Sequence, residues 1–121
     1  MMTKIYTFDD APHTYTENQG MLYRLVNEDV GSKQIGVLFV ELKPHVSYPG
    51  LHYHKNRESV YMVLEGSATL LLDDKEHQIK PRHVIYISPE AVHGIIETGD
   101  TGLKMVEVYS PLDDDFIKVE K

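Results

Sequence analysis

Short runs of hydrophobic residues, each bounded by turn-forming residues, recur along the whole chain. Runs of this length and composition are typical of β-strands, and no stretch shows the spacing of a long amphipathic helix. The clearest predicted strands cover residues 35–42, 60–64, 68–72 and 84–87, and further strands are predicted at 4–8, 20–26, 94–97 and 103–109. The pattern therefore predicts an all-β protein.

Two features of the sequence indicate how the strands connect. Segment 70–79 predicts a hairpin that turns at Asp73-Asp74, although the glycine usual in such a turn is missing. In addition, Leu42-Lys43-Pro44-His45 resembles Ile79-Lys80-Pro81-Arg82, which indicates a faint internal duplication. Two similar β-halves that close on each other form a barrel or a double-sheet jelly roll, whose inner face gathers side chains from distant strands.

Composition limits the kind of protein. A chain of 121 residues with 41% hydrophobic content supplies one core, so we expect one domain over residues 1–121. The absence of cysteine excludes disulfides, thiolate metal ligands and cysteine nucleophiles, and indicates an intracellular protein. The opening residues 1–6 lack the continuous apolar stretch of a signal peptide or membrane span, so we expect a cytoplasmic protein without a membrane partner.

The charge pattern excludes a nucleic-acid partner. The formal net charge is -7, and lysine and arginine are scattered instead of forming the basic patch that phosphate binding requires. Asp113, Asp114 and Asp115 form an acidic run near the C-terminus. We interpret this run as a solvated face or the start of a helix, which is more common than a cation site.

Three of the seven histidines have the spacing of metal ligands. His52 and His54 alternate along a strand, so both point to one face about 7 Å apart, and His93 from another strand would complete a three-histidine set. Imidazole nitrogen suits divalent ions of iron, manganese, nickel, zinc and copper. A chance His-x-His on an exposed strand is the alternative. The other candidates, His45, His77 and His83, fit no ligand spacing and are expected at exposed positions.

Around these histidines the chain resembles the cupin superfamily, specifically its small single-domain members, over roughly residues 36–109. The first cupin motif reads Gly, five residues, His-x-His, three or four residues, Glu, six residues, Gly; here His52 and His54 are followed after four residues by Ser59 and after six more by Gly66. The second motif places His93 as the third ligand. The resemblance implies a double-stranded β-helix, or jelly-roll barrel, with one metal ion.

The first motif departs from the family at a metal ligand. Ser59 stands where cupins usually carry glutamate, and Glu58 comes directly before it. Strand alternation directs Glu58 to the face opposite Ser59, whereas a one-residue bulge would turn it inward. The site is then either three neutral histidines or three histidines with Glu58 as a fourth ligand that offsets part of the metal charge. We favour three histidines.

The second motif departs at its turns and at its end. Arg82, Ser88, Glu90 and Glu97 stand where cupins carry Gly, Pro, Gly and Asn. Turns accept such residues where φ is negative, so we expect negative φ there. Glu97 shares a strand face with His93. It is either a second-layer acceptor or a base or, as we favour, exposed at the strand end.

Other groups are candidates for substrate chemistry. Tyr61 shares a face with Ser59 and is either a hydrogen-bond donor or weak acid in the cavity or a core aromatic, and Glu58 is the second candidate for proton handling. Arg24 either meets an anionic substrate at the barrel mouth or, as we favour, forms a surface salt bridge. Ser59 lacks the orienting acid and nucleophile elbow of a serine hydrolase.

The resemblance implies two functions. The first is a metal-dependent enzyme, of dioxygenase, isomerase, epimerase or lyase type, that acts on a small oxygenated organic substrate. The alternative is a non-catalytic cupin that binds a small molecule or carbohydrate, since fold does not decide activity. Small cupins commonly dimerise through edge strands, so we also expect a homodimer in which the predicted strand 4–8 extends a neighbour's sheet.

Overall fold

The computed structural model describes residues 3–113 and 115–120, and these form one curled sheet of nine strands. Met1, Met2, Asp114 and Lys121 lie outside the described residues. The strands are β1 (His13–Thr16), β2 (Gly20–Val26), β3 (Gly36–Leu42), β4 (Tyr48–Tyr53), β5 (Glu58–Leu72), β6 (Lys75–Ile79), β7 (Val84–Ile87), β8 (His93–Ser110) and β9 (Ile117–Lys118). Short 3-10 helices cover Phe8–Asp10 and Glu28–Val30. No described helix has the length and apolar content needed to cross a membrane.

Strands β5 and β8 are long and bent, and they organise the barrel. β5 pairs antiparallel with β6, β7 and β8, while β8 also pairs with β3 and β4. The sheet register shifts next to Gly66, where φ is 79°, and a Cβ there would lie 2.0 Å from the carbonyl oxygen of Gly102. The predicted strands at 60–64 and 68–72 are therefore the two arms of β5. This arrangement confirms the predicted all-β jelly-roll barrel.

The inner face of the sheet carries the main buried core and, beside it, polar side chains. On the inner face, Val40, Met105 and Val63 lie in one row across β3, β8 and β5 and belong to the main buried core. The next inward row joins Leu38, Glu107 and Tyr61. One step of strand alternation beyond the core row, the inner face thus gains the carboxyl group of Glu107 and the hydroxyl group of Tyr61, and this row lines the candidate site.

The predicted strand at 4–8 is wrong. Residues 4–7 adopt no regular structure, and the Thr7 backbone N–H donates to Asp10 Oδ2 at 3.2 Å, which favours a helical turn at Phe8–Asp10. The Phe8 ring then packs on the Phe39 ring of the outer face, with centroids 4.7 Å apart. This segment therefore supplies no edge strand, and the expected homodimer stays a prediction without that pairing.

The hairpin predicted at 70–79 is confirmed. β5 and β6 pair up to Leu72 and Lys75, and the turn consists of Asp73 and Asp74 alone. Both aspartates have positive φ, 53° and 67°, as a two-residue turn of type I′ requires. Aspartate tolerates this conformation better than most side chains, so it replaces the missing glycine.

The duplicated segments adopt similar turns. Each begins with a buried strand residue, Leu42 or Ile79, and each ends in a residue with positive φ: 58° at His45 and 75° at Arg82. Glu90 also has a φ of 73°. The expectation of negative φ at Arg82 and Glu90 is therefore wrong, since both keep the glycine-like backbone of the motif. Hydrogen bonds help hold them there, because Arg82 N donates to Val63 O and Glu90 N to His54 O.

Candidate metal centre

The structure brings the three predicted histidines together. His52 lies near the end of β4, His54 directly follows β4, and His93 begins β8. His52 and His93 are register partners, and all three side chains are buried. One ring nitrogen from each histidine lies within 4.8 Å of those from the other two. Nitrogens grouped this closely are candidates for binding one ion, which would draw them to about 4 Å apart or less.

Hydrogen bonds orient the three rings in the same way. In each ring Nδ1 lies at hydrogen-bond distance from a backbone carbonyl: His52 with Gly50 at 2.8 Å, His54 with Asp115 at 2.5 Å, and His93 with Ala91 at 2.8 Å. A carbonyl oxygen only accepts, so Nδ1 carries the proton and Nε2 keeps its lone pair. This tautomer, held by a second hydrogen bond, is the usual arrangement of metal-binding histidine.

One of these nitrogens is buried without a partner. The Nε2 of His93 has no hydrogen-bond partner among the described residues, and its side chain is fully buried. Burying an unpaired polar atom costs about 1–3 kcal/mol, and such atoms are rare in folded proteins. A metal ion between the rings would use the lone pair that the protein leaves free. The residues therefore fit a divalent transition metal.

Electrostatics keep the rings neutral. Burial, reinforced by the neighbouring His93, lowers the pKa of His52 to about 3. Burial also lowers the pKa of His54 and that of His93. The three side chains are therefore unprotonated at neutral pH, which is the state that binds metal.

The C-terminal segment covers the site. The Asp115 carboxylate accepts backbone N–H bonds from three successive residues, Lys55 at 2.9 Å, Asn56 at 2.6 Å and Arg57 at 3.2 Å. These bonds hold the pKa of Asp115 below its usual value. The Phe116 ring stacks on His52 with centroids 4.3 Å apart. Asp115 is thus neither part of a purely solvated face nor a helix start, as was predicted for the run 113–115; Asp114 lies outside the described residues.

Glu58 and Ser59 take opposite faces of β5. Ser59 is 1% exposed and points inward, whereas Glu58 is exposed and accepts a hydrogen bond from the Tyr86 hydroxyl at 2.8 Å. The pairing of both residues with β8 continues without a bulge. The structure therefore places Glu58 outside the histidine cluster, in agreement with the three-histidine alternative.

Glu107 is an inward carboxylate that sequence reasoning missed. It lies on β8 beside Tyr61 of β5, is 9% exposed, and accepts a hydrogen bond from the Ser59 hydroxyl at 3.0 Å. Burial raises the pKa of Glu107, although the Ser59 bond and the charge of Arg57 oppose this shift. Glu107 belongs to neither cupin motif. Glu107 alternates on the same strand with Leu103 and Met105, which are buried core residues, so the sequence alone could have indicated that its side chain points inward.

A small cavity of about 100 Å³ joins these groups. Its polar lining residues are His52, His54, Arg57, Tyr48, Tyr61 and Glu107. A volume of this order is below that of a drug-sized pocket and suits only a very small ligand. Tyr61 is almost fully buried, and burial raises its pKa well above the usual value, so its hydroxyl stays protonated and can donate.

The remaining candidates lie elsewhere. Arg24 lines a neighbouring cavity and donates to the Thr14 hydroxyl at 2.9 Å; among the described residues it forms no ion pair, so the predicted surface salt bridge is not found. Glu97 is exposed and pairs with His45 at 3.1 Å, away from the three histidines. His77 and His83 are exposed, as expected.

Comparison with known proteins agrees with this architecture. A family model described as a cupin domain matches residues 38–109. An uncharacterized protein of Methanocaldococcus jannaschii is 36% identical over 56 residues, which is 46% of this chain and 45% of that protein. This chain therefore matches less than half the length of that relative.

Three solved structures share the fold. The polyketide cyclase RemF from Streptomyces resistomycificus has a TM-score of 0.82 and 23% identity, covering 99% of this chain and 87% of its own. A conserved protein with a double-stranded β-helix domain from Klebsiella pneumoniae has a TM-score of 0.79, 17% identity and coverages of 99% and 100%. A variant oxalate decarboxylase of Bacillus subtilis has a TM-score of 0.80, 17% identity and coverages of 94% and 32%.

Identity below 25% supports a common fold and not a common activity. The family model carries more weight because it matches over half of the chain and contains the two segments that supply the histidines. Together with the jelly-roll topology, this match shows that the chain belongs to the cupin family.

Proposed function

We propose that this protein is a metal-dependent enzyme that binds one divalent transition metal ion through Nε2 of His52, His54 and His93 and acts on a small oxygenated organic molecule. The observation that carries the proposal is the buried, unpartnered Nε2 of His93. It belongs to a cluster in which all three Nδ1 atoms are already bound to carbonyl groups. The protein thus satisfies one nitrogen of each ring and leaves the other for a ligand.

A bound ion would supply Lewis-acid chemistry or, if it is redox-active, electron transfer. Three neutral ligands leave the full charge of the ion to act on a substrate, in contrast to a set that includes a carboxylate. Glu58 lies on the outer face and is not part of this proposal. Iron, manganese, nickel, zinc and copper all suit the imidazole set.

Two side chains of the cavity supply the proton chemistry. Glu107 is a buried carboxyl group with a raised pKa. The raised pKa makes the free energies of its protonated and ionised forms more nearly equal at neutral pH, which suits a group that accepts and returns a proton. The Ser59 hydroxyl orients it at 3.0 Å. Tyr61 is the register partner of Glu107 and stays protonated, so it acts as a hydrogen-bond donor to substrate oxygen.

This pair favours proton transfer at a carbon or oxygen next to the ion. Isomerisation, epimerisation and elimination each need a group that removes a proton and a group that stabilises the developing oxyanion. Glu107 fits the first role, and the ion with Tyr61 fits the second. We therefore favour an isomerase or lyase over a dioxygenase.

The metal content of purified protein tests the proposal. The parent, a His52→Ala/His93→Ala variant and a His45→Ala/His77→Ala control are purified without chelators and analysed by elemental mass spectrometry. The control removes the same number of imidazoles from exposed positions. We expect about one equivalent of metal in the parent and control and almost none in the first variant. A parent that stays empty after reconstitution would contradict the metal site. Stoichiometric ligand binding without turnover would support the non-catalytic alternative.

A further inference from the structure

Arg57 is a cavity residue whose hydrogen bonding is incomplete. It lies between His54 and β5 and lines the same cavity as His52, His54 and Glu107. Its guanidinium carbon lies 4.0 Å from the centroid of the Tyr109 ring. Its Nη2 donates to the Asp113 carbonyl oxygen at 2.9 Å, but its Nε is buried and has no partner among the described residues.

The guanidinium of Arg57 also has no direct carboxylate partner among the described residues. In that part of the chain, no carboxylate lies within 4.0 Å of its nitrogens, and no ion pair to it is found there. A partly buried guanidinium without a counterion is costly, because both its charge and its N–H groups lose water. An arginine that only stabilised the loop would be expected to have its buried donors paired.

The surroundings increase the excess of positive charge. Arg57 lies within electrostatic range of His52 and His54, where its charge lowers the pKa of both rings. Glu107 is the acidic side chain in the cavity lining, and it offsets one positive charge at most. A divalent ion on the three histidines would leave the cavity with a clear excess of positive charge. An anionic ligand would balance it.

We propose that Arg57 binds the carboxylate of the substrate, so that the substrate class is a small organic acid. This inference rests on the proposed metal site for the contact at the other end of the ligand. The Nε–H group supplies the free donor, and a charge-assisted hydrogen bond to a carboxylate is stronger than one to a neutral oxygen. The Tyr109 ring and the Asp113 carbonyl hold the guanidinium in place, which lowers the entropy lost on binding.

Acetate is the simplest probe of this site. Protein loaded with one equivalent of cobalt(II) is titrated with acetate and, separately, with the neutral analogue acetamide, and binding is followed by the visible absorption of the ion. We expect Arg57→Gln to weaken acetate binding about 10-fold or more, which is the range for losing a charged hydrogen bond. We expect acetamide to bind weakly to both forms.

Two further variants separate a contact from a general charge effect. Arg24→Gln removes a positive charge from the neighbouring cavity, and we expect less than about a twofold change in acetate affinity. Arg57→Lys keeps the charge but lacks Nε–H, so we expect it to weaken acetate binding as well. Thermal unfolding checks that each variant is folded. If Arg57→Gln does not fold, the comparison rests on Arg57→Lys.

A titration of metal-free protein distinguishes this inference from the metal proposal. Acetate binding is then followed by ¹H–¹⁵N NMR of the parent and the same variants. Equal acetate affinity in the parent and a folded Arg57 variant, both with full metal content, would overturn the carboxylate site and leave the metal site intact. Acetate binding that depends on Arg57 in a protein that takes up no metal would support the carboxylate site and contradict the metal site.

Discussion

His52 and His93 face each other across β4 and β8, with ring centroids 4.2 Å apart, and each Nδ1 bonds to the carbonyl of the residue two positions earlier. Those carbonyls belong to Gly50 and Ala91. The two halves of the barrel thus orient one histidine each by the same local device. This equivalence agrees with the internal duplication that the sequence indicates, and it leaves both Nε2 atoms free for one ion.

Metal should stabilise the fold through these histidines. Any ligand that binds only the folded state raises its stability by RT ln(1 + [L]/Kd), about 2.7 kcal/mol at one hundred times Kd. We expect zinc or manganese to raise the melting temperature of the parent by several degrees and to leave His52→Ala/His93→Ala unchanged. Differential scanning fluorimetry with and without metal measures this. An equal rise in both proteins would locate the stabilising ion elsewhere.

Acid should destabilise the metal-free protein. The folded state holds the pKa of His52 at about 3, whereas the unfolded chain titrates near 6.5. Between these values the unfolded state binds more protons, so the free energy of unfolding falls as pH decreases from about 6.5 towards 3. Urea unfolding at several pH values measures the slope. We expect His52→Asn to reduce it, and an unchanged slope would contradict a neutral buried His52.

Much of the fold could be predicted because its strands alternate between a core face and an outer face. β2 and β7 were predicted with their observed limits. β1 was missed because all four of its residues are exposed, so it has no apolar alternation, and β9 has only two residues. The run at 4–8 resembles a strand locally, but the bond between Thr7 and Asp10 turns the chain.

The candidate site was predictable only where the two cupin motifs carry it. His52 and His54 follow from their spacing and His93 from the resemblance to the second motif, but the place of Glu107 beside Tyr61 becomes visible only when the register of β8 against β5 is known. Arg57 depends on contacts with a C-terminal segment distant in sequence. Such contacts arise from tertiary structure and leave no local pattern.

The Ser59 hydroxyl should tune the acidity of Glu107. Its hydrogen bond stabilises the charged carboxylate and lowers the pKa, so we expect Ser59→Ala to raise the pKa of Glu107 further. Carbon-13 NMR of labelled glutamate measures this pKa. The loss of one partner of a buried pair should also cost about 1–3 kcal/mol of stability.

A matched control for that measurement is Ser67→Ala, which alters a serine of the same strand away from the Glu107 contact. We expect it to leave the pKa of Glu107 as it is in the parent. If Ser59→Ala also leaves that pKa unchanged, the hydroxyl does not orient the carboxyl group, and the proposed proton-transfer role of the pair loses its support.

Asp115 should link the C-terminal segment to metal affinity. Its carboxylate binds the backbone of residues 55–57, and its carbonyl binds the His54 ring. We expect Asp115→Ala to lower metal affinity roughly 10-fold, as is usual when a group that supports a ligand is lost. Asp113→Ala is the control, because the described contact of Asp113 with Arg57 uses its backbone carbonyl, which the substitution keeps. Competition with a chelator measures both, and equal affinities would contradict this role.

The proposed metal site is one ion bound to the three Nε2 atoms of His52, His54 and His93. Anomalous diffraction from metal-loaded crystals, collected on both sides of the absorption edge of the ion, tests it most directly. For zinc we expect one strong peak about 2.0–2.1 Å from each Nε2, next to the cavity that Glu107 and Arg57 line. A peak at another position, or none between the three rings in protein that elemental analysis shows to be loaded, would contradict it.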